Sequence, residues 1–179
     1  YAKGQELRGK TLGVIGFGRI GQALASYALG VGMNVKAVDL FAEKVSVPVS
    51  INGNEIPVEI DPSKNLNEVI SEFDYISIHV PKQADGSAVL TDTEISSMKN
   101  GVIIANAARG GVVDEDALLK GLDSGKIRAA ALDVFENEPT PREDLLKHDK
   151  IASTPHIGAA TGEAQSRIGV ELAEQICDI

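Results

Sequence analysis

Six short runs rich in Val, Ile and Ala, alternating with stretches of helical spacing, constrain the fold of this 179-residue chain more than any other feature. The runs are Thr11 to Ile15, Asn34 to Val38, Tyr75 to His79, Val102 to Asn106, Ala129 to Asp133 and Ile151 to Ser153. Most are too uniformly apolar to keep a solvated face, which predicts parallel strands covered by helices on both sides. The expected class is α/β: a doubly wound parallel sheet of about six strands in one domain spanning 1–179. A chain of this length can bury roughly 70% of its unfolded surface around one core.

Helix signals fall between the runs. Gln22 to Leu29 follows the first strand. Thr91 with Glu94, and Thr140-Pro141 with Glu143, have capping-box spacing. Asp114 to Ser124 starts acidic and ends at Gly125, where a left-handed stop is cheap. Thr161 to about Cys177 repeats Ala164, Ile168, Leu172 and Ile176, a long helix with one apolar stripe. The rhythm breaks at Val47 to Val58, where Asn52-Gly53 signals a tight hairpin and Pro48 and Pro57 restrict it to a sheet edge.

Composition excludes several partners. Seventeen Lys and Arg against twenty-six Asp and Glu leave a net charge of −9, an unfavourable field for nucleic acid or anionic lipid. The single cysteine, Cys177, permits neither an intrachain disulfide nor a multi-cysteine metal site. Three scattered histidines supply no two metal ligands at ligand spacing, so no metal is expected. No apolar run approaches a membrane span and Tyr1 to Glu6 is not the apolar stretch of a leader, so the expected compartment is the cytoplasm. A chain opening on Tyr1 is expected to be a piece of a longer one.

Gly16-Phe-Gly-Arg-Ile-Gly21 carries the G-x-G-x-x-G spacing between a strand and a helix. Gly16 permits the sharp turn, Gly18 admits a pyrophosphate to the backbone, and Gly21 allows close helix–strand packing. The start of the helix offers free N–H groups to the anion. Asp39, eighteen residues after Gly21 at the end of the second strand, suits both adenine-ribose hydroxyls and would repel a 2′-phosphate. The expected architecture is thus Rossmann-type and the expected cofactor is NAD in preference to NADP.

Three polar sites follow three late strands: Arg109, Glu138 and His156. Ligands bind outside the carboxyl ends of strands in open α/β sheets, so these residues can converge with a nicotinamide. Reduction of a carbonyl needs a proton donor, commonly a histidine, and a carboxylate beside it would orient the ring. A guanidinium suits a substrate carboxylate. Together they describe reversible oxidation of a 2-hydroxy acid. Taken singly, Arg109 could cap a loop, His156 could be structural, and Glu136 competes with Glu138 on spacing. Convergence carries the case. His79 reads as structural or cofactor-lining, and His148 as a surface residue.

Across almost its whole length the chain resembles the D-isomer-specific 2-hydroxyacid dehydrogenases. The resemblance rests on Gly16 to Gly21, His79-Val-Pro81, Asn106-Ala-Ala-Arg-Gly-Gly-Val-Val-Asp114, Ala131-Leu-Asp-Val-Phe-Glu-Asn-Glu-Pro139 and Thr154-Pro-His-Ile-Gly-Ala159, in that order. It implies catalytic roles for Arg109, Glu138 and His156, and so prefers Glu138 to Glu136. It further implies that Gly16, Gly18, Arg19, Ile20, Gly21, Asp39, Val80, Pro81, Ala107, Arg109, Asp133, His156 and Gly158 line the cofactor, with Asp133 near the nicotinamide carboxamide. It covers the cofactor domain alone. The substrate domain would be absent, with Lys3 to Leu7 arriving from it and the Thr161 to Ile179 helix returning. The implied protein is a homodimer acting on a small 2-hydroxy or 2-oxo acid. The same three residues also occur in the C-terminal binding protein corepressors, which makes an NAD-sensing binding module the rival reading. Phe41 to Leu66 matches no family motif.

Overall fold

The computed structural model describes residues 4–177, so Lys3 of the expected linking segment, and residues 178 and 179 of the last helix, lie outside the described residues. In chain order the elements are β1 (Thr11–Ile15), α1 (Arg19–Gly30), β2 (Asn34–Val38), β3 (Val45–Ile51), β4 (Asn54–Ile60), α2 (Leu66–Val69), β5 (Tyr75–Ile78), α3 (Asp92–Ser97), β6 (Val102–Asn106), α4 (Glu115–Ser124), β7 (Ile127–Leu132), α5 (Glu143–Leu146), β8 (Ile151–Ser153) and α6 (Gly162–Cys177). One turn of 3₁₀ helix, Ile70–Glu72, joins α2 to β5.

Six strands form one sheet in the order β2-β1-β5-β6-β7-β8, and every neighbouring pair is parallel. This is the doubly wound sheet expected from the apolar runs. Because all strands run the same way, the segments after each strand share one edge. The chain order reverses at β1, so the crevice lies between the ends of β1 and β5. Among the described residues, a single parallel bridge, Val38 to Ser63, continues the sheet beyond β2. The place of a further strand is taken by the β3–β4 ribbon, whose turn holds Asn52 and Gly53 at φ 49° and 79° and sets Pro48 opposite Pro57. Two prolines facing each other remove two ladder donors, which keeps the ribbon out of the main sheet. Val47 and Val49 bury against α1 instead, and Ser26 Oγ donates to Pro48 O.

Side-chain alternation divides the core in two. Ile76, Ile78, Ile104 and Leu132 meet Phe73, Ile95, Leu118 and Leu145 on one face, whereas Val14 and Ala37 meet Ala25 and Ala28 of α1 on the other. The expectation that helices cover both faces needs correction. Helices α2 to α5 all serve the first face, so beyond β1 the second is only partly covered: Tyr75, Ser77, Ile103, Ala105 and Ala129 are half-buried, and Ala131 and Ala152 exposed. Helix α6 buries no residue, and Ile168, Leu172 and Ile176 of its apolar stripe face solvent. Among the described residues no helix is long and apolar enough to cross a membrane.

Several boundaries differ from the sequence expectation. Helix α1 begins at Arg19, one turn before Gln22, because Gly18 in extended conformation serves as its N-cap. Strand β5 stops at Ile78, ahead of Val80-Pro81, although the His79 N–H still donates to Ile15 O. Strand β7 begins at Ile127, two residues early, since the sheet accepts Arg128 within it, and ends at Leu132. The Thr140 cap does not form: Thr140 N–H closes a turn onto Asn137 O, and α5 starts after Arg142, whose guanidinium pairs with Asp116 and Asp144. Thr91 with Glu94 does make the capping box, and Asp114 and Gly125 end α4 as expected.

Candidate functional site

The glycines after β1 separate into packing and open positions. Gly16 has φ +92°, and a Cβ there would sit 2.7 Å from the His79 backbone. A Cβ on Gly21 would lie 2.3 Å from Gly16 O. Both are therefore demanded by the fold. Gly18 is different: it has an extended backbone any residue can adopt, and nothing lies within 4 Å of where its Cβ would be. The fold leaves this space unfilled directly before the first turn of α1, where backbone N–H groups are free for an anion. Arg19 and Ile20 extend into solvent beside it, the former within 4.0 Å of Glu171 on α6.

Asp39 follows β2, beside the glycine turn. Its carboxylate accepts from Phe17 N–H at 2.7 Å and from Phe41 and Ala42 N–H at 2.8 Å each, which ties β2 to the glycine turn. Burial pushes this carboxyl up, but the three amides, with Lys64 nearby, outweigh it and hold it below its ordinary range. An ionised carboxylate has about four acceptor sites, so with three amides bound capacity remains for about one ribose hydroxyl. These residues fit a bound NAD. Gly18→Ala is expected to melt within a few degrees of the parent, as exchange at a helix N-cap costs about 1 kcal/mol. Its NAD affinity by calorimetry should fall about tenfold or more, since a methyl group obstructs the pyrophosphate approach. Equal affinity would rule this cradle out. Asp39→Ala should narrow the preference for NAD over NADP in competitive titration.

Arg109, Glu138 and His156 all lie at the carboxyl edge. The buried side chain of Asn106 ends β6 by donating to Arg109 O at 3.0 Å and accepting from Ala108 N–H at 3.0 Å, folding the chain back. The exposed Arg109 guanidinium donates to Ala108 O and not to Glu138 or His156. After β7, Asp133 accepts from Thr154 Oγ, from Ile157 N–H at 2.9 Å and from Gly158 N–H at 2.7 Å. Asp133 thus fixes the loop carrying His156. A non-glycine residue at φ +54°, His156 turns its ring to Glu138, with Nδ1 2.7 Å from Oε2. The other oxygen of Glu138 accepts from Phe135 N–H at 2.9 Å.

A carboxylate only accepts, so Nδ1 carries the proton in this pair and Nε2 is the atom left for chemistry. The His156 ring and Phe135 N–H hold the Glu138 carboxyl below its ordinary range. Burial pushes Asp133 up, but Thr154, Ile157 and Gly158 outweigh it and hold it down. A carboxyl with a folded pKa below its unfolded value stabilises the fold above the ordinary carboxylate range and loses that contribution as pH falls through the folded value. The melting temperature should therefore drop on acidification below that range. Asp133→Asn should flatten this acid limb; an unchanged limb would deny the loop its anchor.

Glu138, His156, Phe135 and Thr154 line a cavity of about 400 Å³, while Ala107, Asp133 and Gly158 line another of about 340 Å³. Val80 is half-buried and Pro81 exposed; a Cβ on Gly16 would meet Val80 Cγ1 at 2.9 Å. Glu136 is exposed, and its backbone N–H donates to Glu115 Oε1. His79 is half-buried, bonded to Ser77 Oγ at 2.9 Å, and burial lowers its pKa, in keeping with a structural or lining role. The expectation of a surface His148 needs correction: its side chain is only 16% exposed, held by Asp123 and the Lys150 amide. Sequence reasoning missed Asn106, Glu115 and Thr154. Only Asn106 left a signal, an Asn poised to turn the chain at a strand end.

A parallel six-stranded sheet with an open glycine turn at the start of its first helix is the architecture of a Rossmann-type nicotinamide-cofactor domain. Residues 1–158 match the family described as D-isomer specific 2-hydroxyacid dehydrogenase, NAD binding domain. The chain is 46% identical to a hydroxypyruvate reductase of Thermotoga maritima over 177 residues, covering 97% of this chain and 54% of the relative. It is 45% identical to a D-3-phosphoglycerate dehydrogenase of Methanocaldococcus jannaschii over 174 residues, covering 97% of this chain and 32% of that protein. A structure of a Staphylococcus aureus NAD-dependent formate dehydrogenase in complex with NAD superposes with a TM-score of 0.79 at 28% identity, covering 96% of this chain and 51% of that one. The chain belongs to the D-isomer specific 2-hydroxyacid dehydrogenase family, as its NAD-binding domain. It spans about half the length of the first of these relatives and a third of the second.

Proposed function

We propose that this chain is the cofactor half of an enzyme that oxidises D-3-phosphoglycerate, a first step toward serine, with His156 as acid/base, Glu138 as its partner and Arg109 as the substrate-carboxylate ligand. The observation that carries the reading is the 2.7 Å Glu138–His156 bond at the carboxyl edge. NAD, when bound, supplies the hydride acceptor. In the oxidative direction Nε2 of His156 takes the hydroxyl proton, and Glu138 stabilises the imidazolium through Nδ1–H. In the reverse direction the same nitrogen returns the proton to the carbonyl oxygen. Arg109, whose guanidinium has donors to spare, engages the carboxylate and orients the reacting carbon.

The relative from Methanocaldococcus supports phosphoglycerate; the one from Thermotoga supports hydroxypyruvate as the second reading. The substrate domain lies outside this chain, the organisation is a cytoplasmic homodimer, and the open sheet face and bare α6 stripe are surfaces such an assembly would cover. This domain alone binds NAD with background turnover, because closure between two domains completes such sites. The deciding experiment offers the full-length protein NADH and the 2-oxo acids of phosphoglycerate, glycerate, glycolate and lactate. The highest kcat/KM with the phosphorylated acid is expected. A preference for hydroxypyruvate selects the second reading, and no reduction with any acid, together with cofactor-dependent peptide binding, selects a corepressor-like module.

A further inference from the structure

Glu115, the first residue of α4, is 6% exposed although it is ionisable, and it takes no part in the proton transfer above. Its Oε1 accepts from Glu136 N–H at 2.9 Å, whereas its Oε2 is buried without a partner. An unsatisfied buried oxygen costs stability. The use of the residue therefore lies in the bond its other oxygen makes. That bond falls within the loop 133–138, between Phe135, whose N–H holds one oxygen of Glu138, and Glu138 itself, whose second oxygen holds His156. On the same stretch Phe135 O lies so close to Gly110 that no side chain fits between them.

We propose that Glu115 is a positioning residue for the candidate active site: its carboxyl clamps the Glu136 amide and so fixes the loop that presents Glu138 to His156. The clamp joins the start of α4 to the loop after β7. Burial raises the Glu115 carboxyl; the Glu136 N–H bond and the Arg142 charge oppose this, and the carboxylates of Glu136 and Asp144 add to it, Arg142 being engaged with Asp116 and Asp144. The clamp itself needs only an acceptor oxygen, which a neutral carboxyl and an amide both provide. The inference rests on the functional reading only for its catalytic consequence.

The test compares Glu115→Ala, Glu115→Asp and Glu115→Gln in this chain by NMR titration of the Glu138 carboxyl, with circular dichroism to confirm folding. Alanine removes the acceptor, and aspartate keeps the charge but falls one methylene short of Glu136 N–H. In both, the Glu138 carboxyl should titrate nearer its ordinary range and the downfield His156 Nδ1–H resonance should be lost. Glutamine, close in shape, should restore both to the parent behaviour. In the full-length protein, alanine should lower kcat about tenfold with KM for NADH unchanged, as expected of a misplaced catalytic group. A folded alanine or aspartate variant with parent-like Glu138 titration would overturn the clamp, as would a glutamine variant behaving like alanine. Because the titration is independent of substrate, failure of the clamp leaves the functional reading standing, and failure of that reading leaves the titration result intact.

Discussion

Replacing His156 with alanine is expected to lower kcat of the full-length protein by about 10²- to 10⁴-fold, the range for removal of a positioned acid/base. The expectation comes from one atom. Glu138 fixes the proton on Nδ1 and leaves Nε2 for the chemistry, in a residue that lines the cavity. Glu138→Gln tests the same logic from the other side. It can keep the bond to Phe135 N–H, but an amide donor facing Nδ1 favours the wrong tautomer, and a loss of about 10²-fold or more follows. NAD affinity should fall at most a few-fold in both variants, although the resemblance sets His156 among the cofactor-lining residues, because Gly18 and Asp39 follow β1 and β2 at the opposite end of the carboxyl edge from β8. If NAD affinity collapsed in step with kcat, the pair would belong to cofactor binding; an unchanged kcat would remove it from the chemistry altogether.

The legibility of these features in the sequence follows their range. Gly16, Gly21 and Asp39 announce themselves because strand, turn and helix are contiguous and each glycine answers a local steric demand. The capping box at Thr91 and Glu94 is equally local. The choice between Glu136 and Glu138 was not accessible to spacing, since both are acids in one loop. The resemblance prefers Glu138, and the folded chain gives the physical reason: Phe135 N–H and the His156 ring engage its two oxygens. Glu115 was invisible for the same reason: an acid in the first turn of a helix is ordinary, and its role depends on a loop 21 residues away. The half-open second face escaped as well. Uniformly apolar strands report that both sides can be buried, not which segment does so.

Gly110→Ala should be the most damaging single-methyl change at the candidate site. A Cβ at this position would lie 1.8 Å from Phe135 O, 2.2 Å from Phe135 C and 2.8 Å from Glu136 N, all backbone atoms. Carbon–oxygen contacts settle at roughly 3.5 Å, so the loop after β7 must retreat by more than about 1 Å. That retreat pulls against Glu115, strips Phe135 N–H from Glu138, and breaks a 2.7 Å bond to His156 that tolerates little displacement. The expected cost is about 3 kcal/mol of stability, with a loss of roughly 10²-fold in kcat. Gly101→Ala provides the control, because Gly101 has φ +79° but open space around its Cβ position. It should lose only about 1 kcal/mol through backbone strain and keep its turnover. Equal melting curves for the two variants, or retention of the His156 Nδ1–H resonance in Gly110→Ala, would show that the loop yields without disturbing the pair and that the close approach at Gly110 has no bearing on the chemistry.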